Sequence, residues 1–440
     1  MRKFTAFLGR LGLVLLLAVA LAAWTTLPPA AVAGLAVLLA LWLVLSRRGR
    51  QTLSVTRVGI STLGQRIGAS SVIVIGIAGV VGVLVALLAM GEGFAATLQK
   101  TGSDDTAIVL RGGSSAELNS VLDRDSQVVI AQAPGVARTP DGQPIASAEI
   151  SVVANLPKKG DPSVDANVQL RGVGEAAWVL RPNVKIIAGR RFTPGLRELV
   201  VGQGARQQFA GLEVGRQIRL AGQPWTVVGA FASGDSHDSE LWGDMQTVAA
   251  AYRRGSSAQS VTVRLTSPAA FATFKAALLA DPRLKVDVST TREYFARQSE
   301  GLAKVIRIVG LTVGIIMAIG AVFGALNTMF AAVAARAREI ATLRAIGFRG
   351  VPVVVSVLLE TMLLALLGGV LGGLVTWLVF NGYTASTLGS NFSQVVFQFR
   401  VSPQLLWTGL KWAMAIGFVG GLFPAVRAAR LPVSTALREL

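Results

Sequence analysis

Cysteine is absent and histidine occurs once, at His237, in a chain of 440 residues. The first absence excludes disulfides, thiolate metal sites and a cysteine nucleophile. The second excludes any site built on two imidazoles. Nowhere does Lys follow Gly, so no phosphate loop of the G-x-x-x-x-G-K-[ST] kind can form, and the amides and lysine that would cradle a nucleotide are missing. Gly172-Val173-Gly174 and Gly202-Gln203-Gly204 are fragments of glycine motifs that turns explain better. G-x-S-x-G is missing too, and the lone histidine sits in an acidic stretch, Asp235-Ser236-His237-Asp238 with Glu240 and Asp244 nearby. A divalent-cation site there is conceivable, but nothing fixes its geometry, so a solvated polar loop is the expectation. Neither catalytic residues, nor a metal, nor a bound cofactor is expected.

Charge is also sparse. Only 15% of residues are charged, against about a quarter in soluble proteins. What fills the chain is apolar: 52% of residues, with a mean hydropathy of +0.57. The net charge of +18 would suggest nucleic acid if it lay on a soluble domain. Residues 95–300, however, hold 23 basic and 20 acidic residues, while the remainder holds 19 basic and 4 acidic. An excess confined to the flanks of apolar segments is what membrane topology produces, so nucleic-acid binding is excluded.

Six apolar segments stand out. Leu11–Ala23 and Pro28–Leu45 form a tight pair; Ser71–Met90, the stretch between Arg307 and Arg336, Val351–Phe380 and Leu405–Val426 follow. The last five approach the ~20 residues a bilayer requires. The first is short. Arg2, Lys3 and Arg10 before it fit a cleaved signal peptide, but the apolar segment that follows at once favours a retained hairpin. Arg47, Arg48, Arg50, Arg57 and Arg66, then Arg336, Arg338, Arg344 and Arg349, then Arg427, Arg430 and Arg438 mark three basic regions as cytoplasmic. The loop 381–404 has only Arg400, and Trp24, Trp377, Trp407 and Trp412 fall near the predicted outer interface. Residues 95–302 then lie outside the cytoplasm.

That external part is expected to be mixed α/β. Strands are predicted at Glu149–Val153, Trp225–Phe231, Ser260–Leu265 and Leu284–Val288, and helices at Ser114–Ala131 and Pro268–Ala280, the latter capped by Ser267. Gly/Pro-rich stretches at 134–144, 157–162 and 232–244 predict surface loops. The two ends of the region are expected to form a membrane-proximal lobe and residues of about 145–255 a distal one.

Three features of the membrane part invite attention. Ala334–Phe348 is rich in helix formers up to Gly347; Ile340, Leu343 and Ile346 or Gly347 form one stripe, with Arg336, Glu339 and Arg344 elsewhere. Such a short helix between spans can lie on the anionic inner leaflet or dock in a cytoplasmic partner. Glu360 is a carboxylate inside a span; pairing within the helix bundle is favoured over a proton or substrate site. Gly368/Gly372 and Gly369/Gly373, with Gly310/Gly314, Gly320/Gly324 and Gly417/Gly421, are small-xxx-small pairs that permit close helix approach. Beyond Asn327, Glu360 and Lys411 the spans offer little to line a hydrophilic path.

Several pieces in order carry a resemblance: Ala89-Met90-Gly91-Glu92-Gly93-Phe94; Gly189-Arg190-Arg191-Phe192-Thr193; Glu198-Leu199-Val200-Val201-Gly202; Leu212-Glu213-Val214-Gly215; Trp225-Thr226-Val227-Val228-Gly229; Arg336–Phe348; and Gly421–Pro432 with Ala436-Leu437-Arg438. Over residues 50–440 the chain resembles the permease subunits of type VII ABC systems, the FtsX/MacB group. The resemblance implies an α-helical membrane bundle of four core spans and a large extracytoplasmic α/β domain of porter-like and sabre-like lobes; the two extra N-terminal spans expected here depart from that pattern. In these terms residues 1–46 form an N-terminal transmembrane hairpin and 47–70 a cytoplasmic amphipathic helix. Residues 71–94, 303–333, 351–380 and 405–426 are transmembrane helices, 381–404 an external loop and 427–440 a cytoplasmic tail.

The resemblance makes 334–350 a coupling helix, with Arg336, Arg338, Glu339, Ile340, Leu343, Arg344, Ile346 and Gly347 as its ATPase-facing residues. It implies a dimeric cytoplasmic ABC ATPase as partner, using ATP and Mg; a second permease copy or paralogue; a periplasmic adaptor in some systems; and surrounding membrane lipids. No ATPase domain is expected in this chain, which would sit in the inner membrane and relay ATP-driven motion to the outside (mechanotransmission). The cargo class would be a lipoprotein, a lipid, a peptide or a small molecule. The alternatives are a ligand-sensing receptor or a regulator of a cell-wall enzyme without cargo.

Overall fold

The computed structural model describes residues 19–61, 67–389 and 393–430, together with Gly12, Leu16, Leu17 and Gly64. The expectations placed on the extreme N-terminus, on Arg66 and on the tail beyond Arg430 lie outside the described residues. The chain divides into two units, one made of Met1–Ala89, Arg307–Asn381 and Arg400–Leu440, the other of Met90–Ile306 and Gly382–Phe399.

The first unit is helical. A short helix, Val19–Thr26, meets α1 (Pro29–Leu45) at 112°. Pro28 sets this break, because it cannot donate to a continuing ladder. The carbonyls thereby orphaned find a cation: Lys411 Nζ donates to the carbonyls of Thr25 and Leu27, and Trp24 Nε1 donates to the Lys411 carbonyl at 2.9 Å. With 17 residues, α1 is at the short end of what a span needs. Much of the first expected segment, Leu11–Ala23, lies outside the described residues, and what is described of the two passes as one bent pair. By length and composition they contain four helices able to cross a bilayer, or five if that bent pair counts as one crossing.

Ser46 accepts from Gly49 N at 2.8 Å and starts α2 (Arg47–Ser61). Its buried face is made of Gly49, Thr52, Val55, Thr56 and Gly59, small enough to lie close against a neighbouring helix. The amphipathic helix predicted over 47–70 thus turns its small residues inward and leaves Val58 and Ile60 exposed. The four long helices are α3 (Ile67–Thr101), α4 (Thr291–Ala335), α6 (Gly350–Phe380) and α7 (Pro403–Arg430), with the nine-residue α5 (Ala337–Ala345) between α4 and α6.

Glycines decide how these helices pack. On α6, a Cβ at Gly368 would lie 2.8 Å from the Val74 carbonyl and one at Gly372 would strike the Ala78 carbonyl, both on α3. The adjacent row faces α7, where Cβ atoms at Gly369 and Gly373 would stand 2.7 Å from Ala413 Cβ and 3.2 Å from Leu406 Cδ2. Gly310 and Gly314 of α4 meet Leu87 and Leu84 in the same way, and Gly417 and Gly421 of α7 meet Ala365 and Thr361. Around Gly320 and Gly324 there is open space.

The second unit holds one ten-stranded mixed sheet. Its strands are β1 (Thr106–Arg111), β2 (Ala146–Pro157), β3 (Asp165–Val173), β4 (Lys185–Gly189), β5 (Glu198–Gly202), β6 (Gln217–Leu220), β7 (Gln223–Ala232), β8 (Glu240–Asp244), β9 (Ser260–Arg264) and β10 (Val286–Thr290). They run in the order β10-β1-β9-β2-β3-β8-β5-β7-β4, with β6 on β7. β2 is shared: Ala146–Glu149 pair with β9, while Ile150–Pro157 pair with β3. One apolar core gathers Val109, Val261, Val263, Phe274 and Leu278 on the β1/β9 side. Others gather Leu170, Val201, Trp225 and Leu241, and Trp178, Phe231 and Trp242, on the β3/β7 side.

Three local expectations change. The helix predicted at Ser114–Ala131 begins only at Arg124, because Asp123 accepts from Ser126 N at 2.7 Å and caps it there, while Leu122 bridges to Ala258. The helix predicted from Pro268 starts at Ala270 without a side-chain cap from Ser267. Most of the stretch 232–244, predicted as a surface loop, is buried, with Gly234 left exposed: a turn at Ser236–Ser239 leads into β8, a central strand. Its charges are tolerated because each finds a partner inside. The external loop 381–404 carries a hairpin, β11 (Thr384–Leu388) with β12 (Gln394–Gln398).

Candidate functional site

Between α4 and α6 the backbone breaks at Arg336, whose φ of −103° and ψ of 11° end one helix and start the next. α5 then runs nine residues and closes on a Schellman cap: Phe348 N donates to the Leu343 carbonyl at 3.1 Å and Gly347 N to the Arg344 carbonyl at 3.2 Å. Gly347 takes φ +106°, which disfavours any side chain there.

The side chain of Arg336 turns inward. Its Nη1 lies 3.0 Å from Glu360 Oε2 and its Nε 3.1 Å from Glu339 Oε2; the Arg336 and Glu360 side chains are 9% and 5% exposed. A Cβ on Gly59 of α2 would stand 2.9 Å from the same Glu360 oxygen and 3.3 Å from Arg336 Nη1. Three elements thus meet on one ion pair: α2, the α4–α5 break and α6. Burying a carboxylate within a span is costly, and a guanidinium at hydrogen-bond distance offsets that cost.

The remaining residues of the segment divide between two faces. Ile340 and Ala341 are buried, Leu343 and Arg344 half-buried, and Arg338, Glu339, Ile346 and Gly347 exposed, Ile346 at 69%. The stripe drawn through Ile340, Leu343 and Ile346 is therefore split. Ile346 is the C-cap, where the chain has already left the helix, and the turn carries its side chain outward. Arg336, set apart from that stripe with Glu339 and Arg344 and expected among the ATPase-facing residues, is buried. Glu360 is paired, and Gly368, Gly369, Gly372 and Gly373 are packing positions.

A second polar constellation lies inside the sheet unit, where sequence reasoning saw only a loop. Arg171 on β3 is 2% exposed and bonds three carboxylates: Glu117 at 2.8 Å, Glu149 at 3.0 Å and Glu240 at 2.9 Å. Arg181 doubly bonds Glu149 at 2.7 and 2.8 Å and donates from Nε to His237 Nε2 at 3.1 Å. His237 Nδ1 faces Asp235 Oδ1 at 3.0 Å. Burial by itself pushes the Glu149 carboxyl up, but the Arg181 and Arg171 guanidiniums beside it pull harder and hold it at about 2. Among the described residues no cluster suited to a metal ion occurs. The only sequence signal for this network was a charge at the centre of an otherwise buried strand, Asn167-Val168-Gln169-Leu170-Arg171-Gly172-Val173, and a lone residue of that kind does not reveal its partners.

Four apolar helices long enough to cross a bilayer, a large folded α/β unit and an inner-face helix between spans define a multi-pass membrane protein with a large extracytoplasmic domain. Residues 70–280 match the family model of the MacB-like periplasmic core domain, and residues 311–433 that of the FtsX-like permease C-terminal region. The chain belongs to the FtsX/MacB-like permeases.

Among curated relatives, the macrolide export ATP-binding/permease protein MacB 2 of Yersinia pestis bv. Antiqua (strain Antiqua) is 26% identical over 346 residues, covering 74% of this chain and 48% of the relative. The macrolide export ATP-binding/permease protein MacB 1/2 of Paracoccus denitrificans is 27% identical over 394 residues, covering 83% and 55%. The chain thus spans about half the length of the curated relatives it matches. Among solved structures, the periplasmic region of MacB from Actinobacillus actinomycetemcomitans aligns at TM-score 0.33 and 15% identity over 43% of this chain and 90% of that one.

Proposed function

We propose that this chain is the permease subunit of an inner-membrane ABC transporter and that it uses ATP hydrolysed by a separate cytoplasmic ABC ATPase, itself dimeric. α5 seats on that ATPase. Motion of the helices then passes outward to the α/β domain, by mechanotransmission and not by a polar channel. The observation that carries this reading is the Arg336–Glu360 pair. It ties the inner-face helix to α6 and α2, so a push on α5 moves the bundle and not merely a loop. The exposed Ile346 at the tip of α5 supplies the apolar contact such a seat requires. The close glycine packing and scarcity of polar residues in the spans support motion of packed helices. A second permease, a homodimer mate or a paralogue, completes the pair, with an adaptor outside in efflux systems. The cargo class is a lipoprotein, lipid, peptide or small molecule.

The test is purification of the chain with its ATPase, followed by Arg338→Glu and Ile346→Asp. Both side chains are exposed, Arg338 on α5 and Ile346 at its C-cap, so folding should survive. Stimulated ATP hydrolysis should fall roughly tenfold, about 1.4 kcal/mol of activation free energy. Wild-type hydrolysis in both variants would refute the seat.

A further inference from the structure

Within the extracytoplasmic unit, one four-residue turn touches every element that continues from the membrane helices. The turn is Ser236–Ser239. Ser236 N donates to Thr101 Oγ1 at 3.1 Å, and the Thr101 and Ser236 hydroxyls are 2.9 Å apart; Thr101 is the last residue of α3. The His237 ring meets Phe295 of α4 edge-on, at 6.2 Å between centroids. Val396 N of the hairpin joining α6 to α7 donates to Ser239 Oγ at 2.8 Å.

On its other side the turn is fastened to the sheet. Asp235 accepts from Asn183 Nδ2 at 2.6 Å and from Ser233 Oγ at 2.7 Å. His237 accepts from Arg181, and Arg181 grips Glu149 at the point where β2 passes from one half of the sheet to the other. Beneath the turn lie Gly202 and Gly204. A Cβ at Gly202 would strike the Asp238 carbonyl, and one at Gly204 would come within 2.9 Å of that carbonyl and 3.0 Å of Val396 Cγ2. The glycine fragment that had no role as a nucleotide motif is there because backbone passes over backbone.

We propose that the Ser236–Ser239 turn is the joint through which motion of α3, α4 and the β11–β12 hairpin reaches the sheet, with Thr101, Ser236, Ser239 and His237 as positioning residues. This rests on the relay proposed above. A free loop would transmit nothing; this one is held by side-chain hydrogen bonds on both sides and has no room to slip.

The experiment uses the full chain with its co-purifying ATPase in lipid nanodiscs. The sequence lacks cysteine, so spin labels at Arg297→Cys on α4 and Val214→Cys in the β5–β6 connection are the permease's only labels. Their separation is measured without nucleotide and after vanadate trapping. The parent protein should show a nucleotide-dependent shift. Thr101→Val with Ser236→Ala should at least halve it, and Gly204→Val should abolish it. Val109→Ala, which loosens the other apolar core away from the turn, should leave it intact. If the parent shows no shift, the relay itself fails and the joint with it. If the parent shifts and the turn variants shift equally, or if Val109→Ala also loses the shift, the joint alone is refuted.

Discussion

Residues 149, 171 and 237 show how single side chains work in the extracytoplasmic unit. Four carboxylates, Glu117, Glu149, Glu240 and Asp235, face two guanidiniums and one imidazole, all buried except Arg181, which is half-buried. In a low-dielectric setting, removing a partner costs far more than the pair contributes. The acid behaviour follows. Glu149 titrates near 2 when folded, against an ordinary 4.5, so its contribution to stability is fully present above about 4.5 and is lost as pH falls towards 2. Acid unfolding of the full chain, followed by tryptophan fluorescence between pH 6 and pH 2, should show a loss of stability below about 4.5. Glu149→Gln, which leaves three carboxylates opposite two guanidiniums, should flatten that slope. An unchanged pH profile in the variant would exclude Glu149 as its source.

At the scale of elements, helix α6 is held by two rows of glycine, one against α3 and one against α7. Overpacking such a contact typically costs about 1–3 kcal/mol, and a backbone collision costs more because backbone cannot repack. Gly372→Val, aimed at the Ala78 carbonyl, should lower the thermal midpoint of the detergent-solubilised chain by several degrees. Gly320→Val, into open space on α4, should leave it within a degree or two. Equal effects would mean that the glycine rows are not what holds the bundle.

For the whole molecule, orientation is the property on which everything else depends. Basic residues flank the inner ends of the spans, and translocating them would be costly, so the α5 side faces the cytoplasm. A cysteine placed at Ser163, exposed between β2 and β3, should react with a membrane-impermeant maleimide in intact spheroplasts; one placed at Ile346 should react only after permeabilisation. The reverse pattern would invert the topology and remove α5 from any ATPase.

How much of this was legible in advance varied with the range of the interaction. Uncharged runs of apolar residues, basic flanks and the Arg336–Phe348 segment located the membrane helices and the inner-face helix, because hydropathy and helix propensity are local properties of the chain. Strand positions such as Ser260–Arg264 were legible for the same reason. What the chain alone left open was which charges face each other. Arg336 and Glu360 are 24 residues apart, and Arg171 and Glu117 are 54 apart. Each is unremarkable in its own neighbourhood, and only folding sets one against the other. The turn at Ser236–Ser239 looked solvated because its residues are polar; it is buried because partners from α3, from Arg181 at the end of the short helix Ala176–Leu180 and from β12 arrive from distant parts of the chain. Local chemistry determined where the chain crosses the bilayer, and tertiary packing decided which polar groups it can bury.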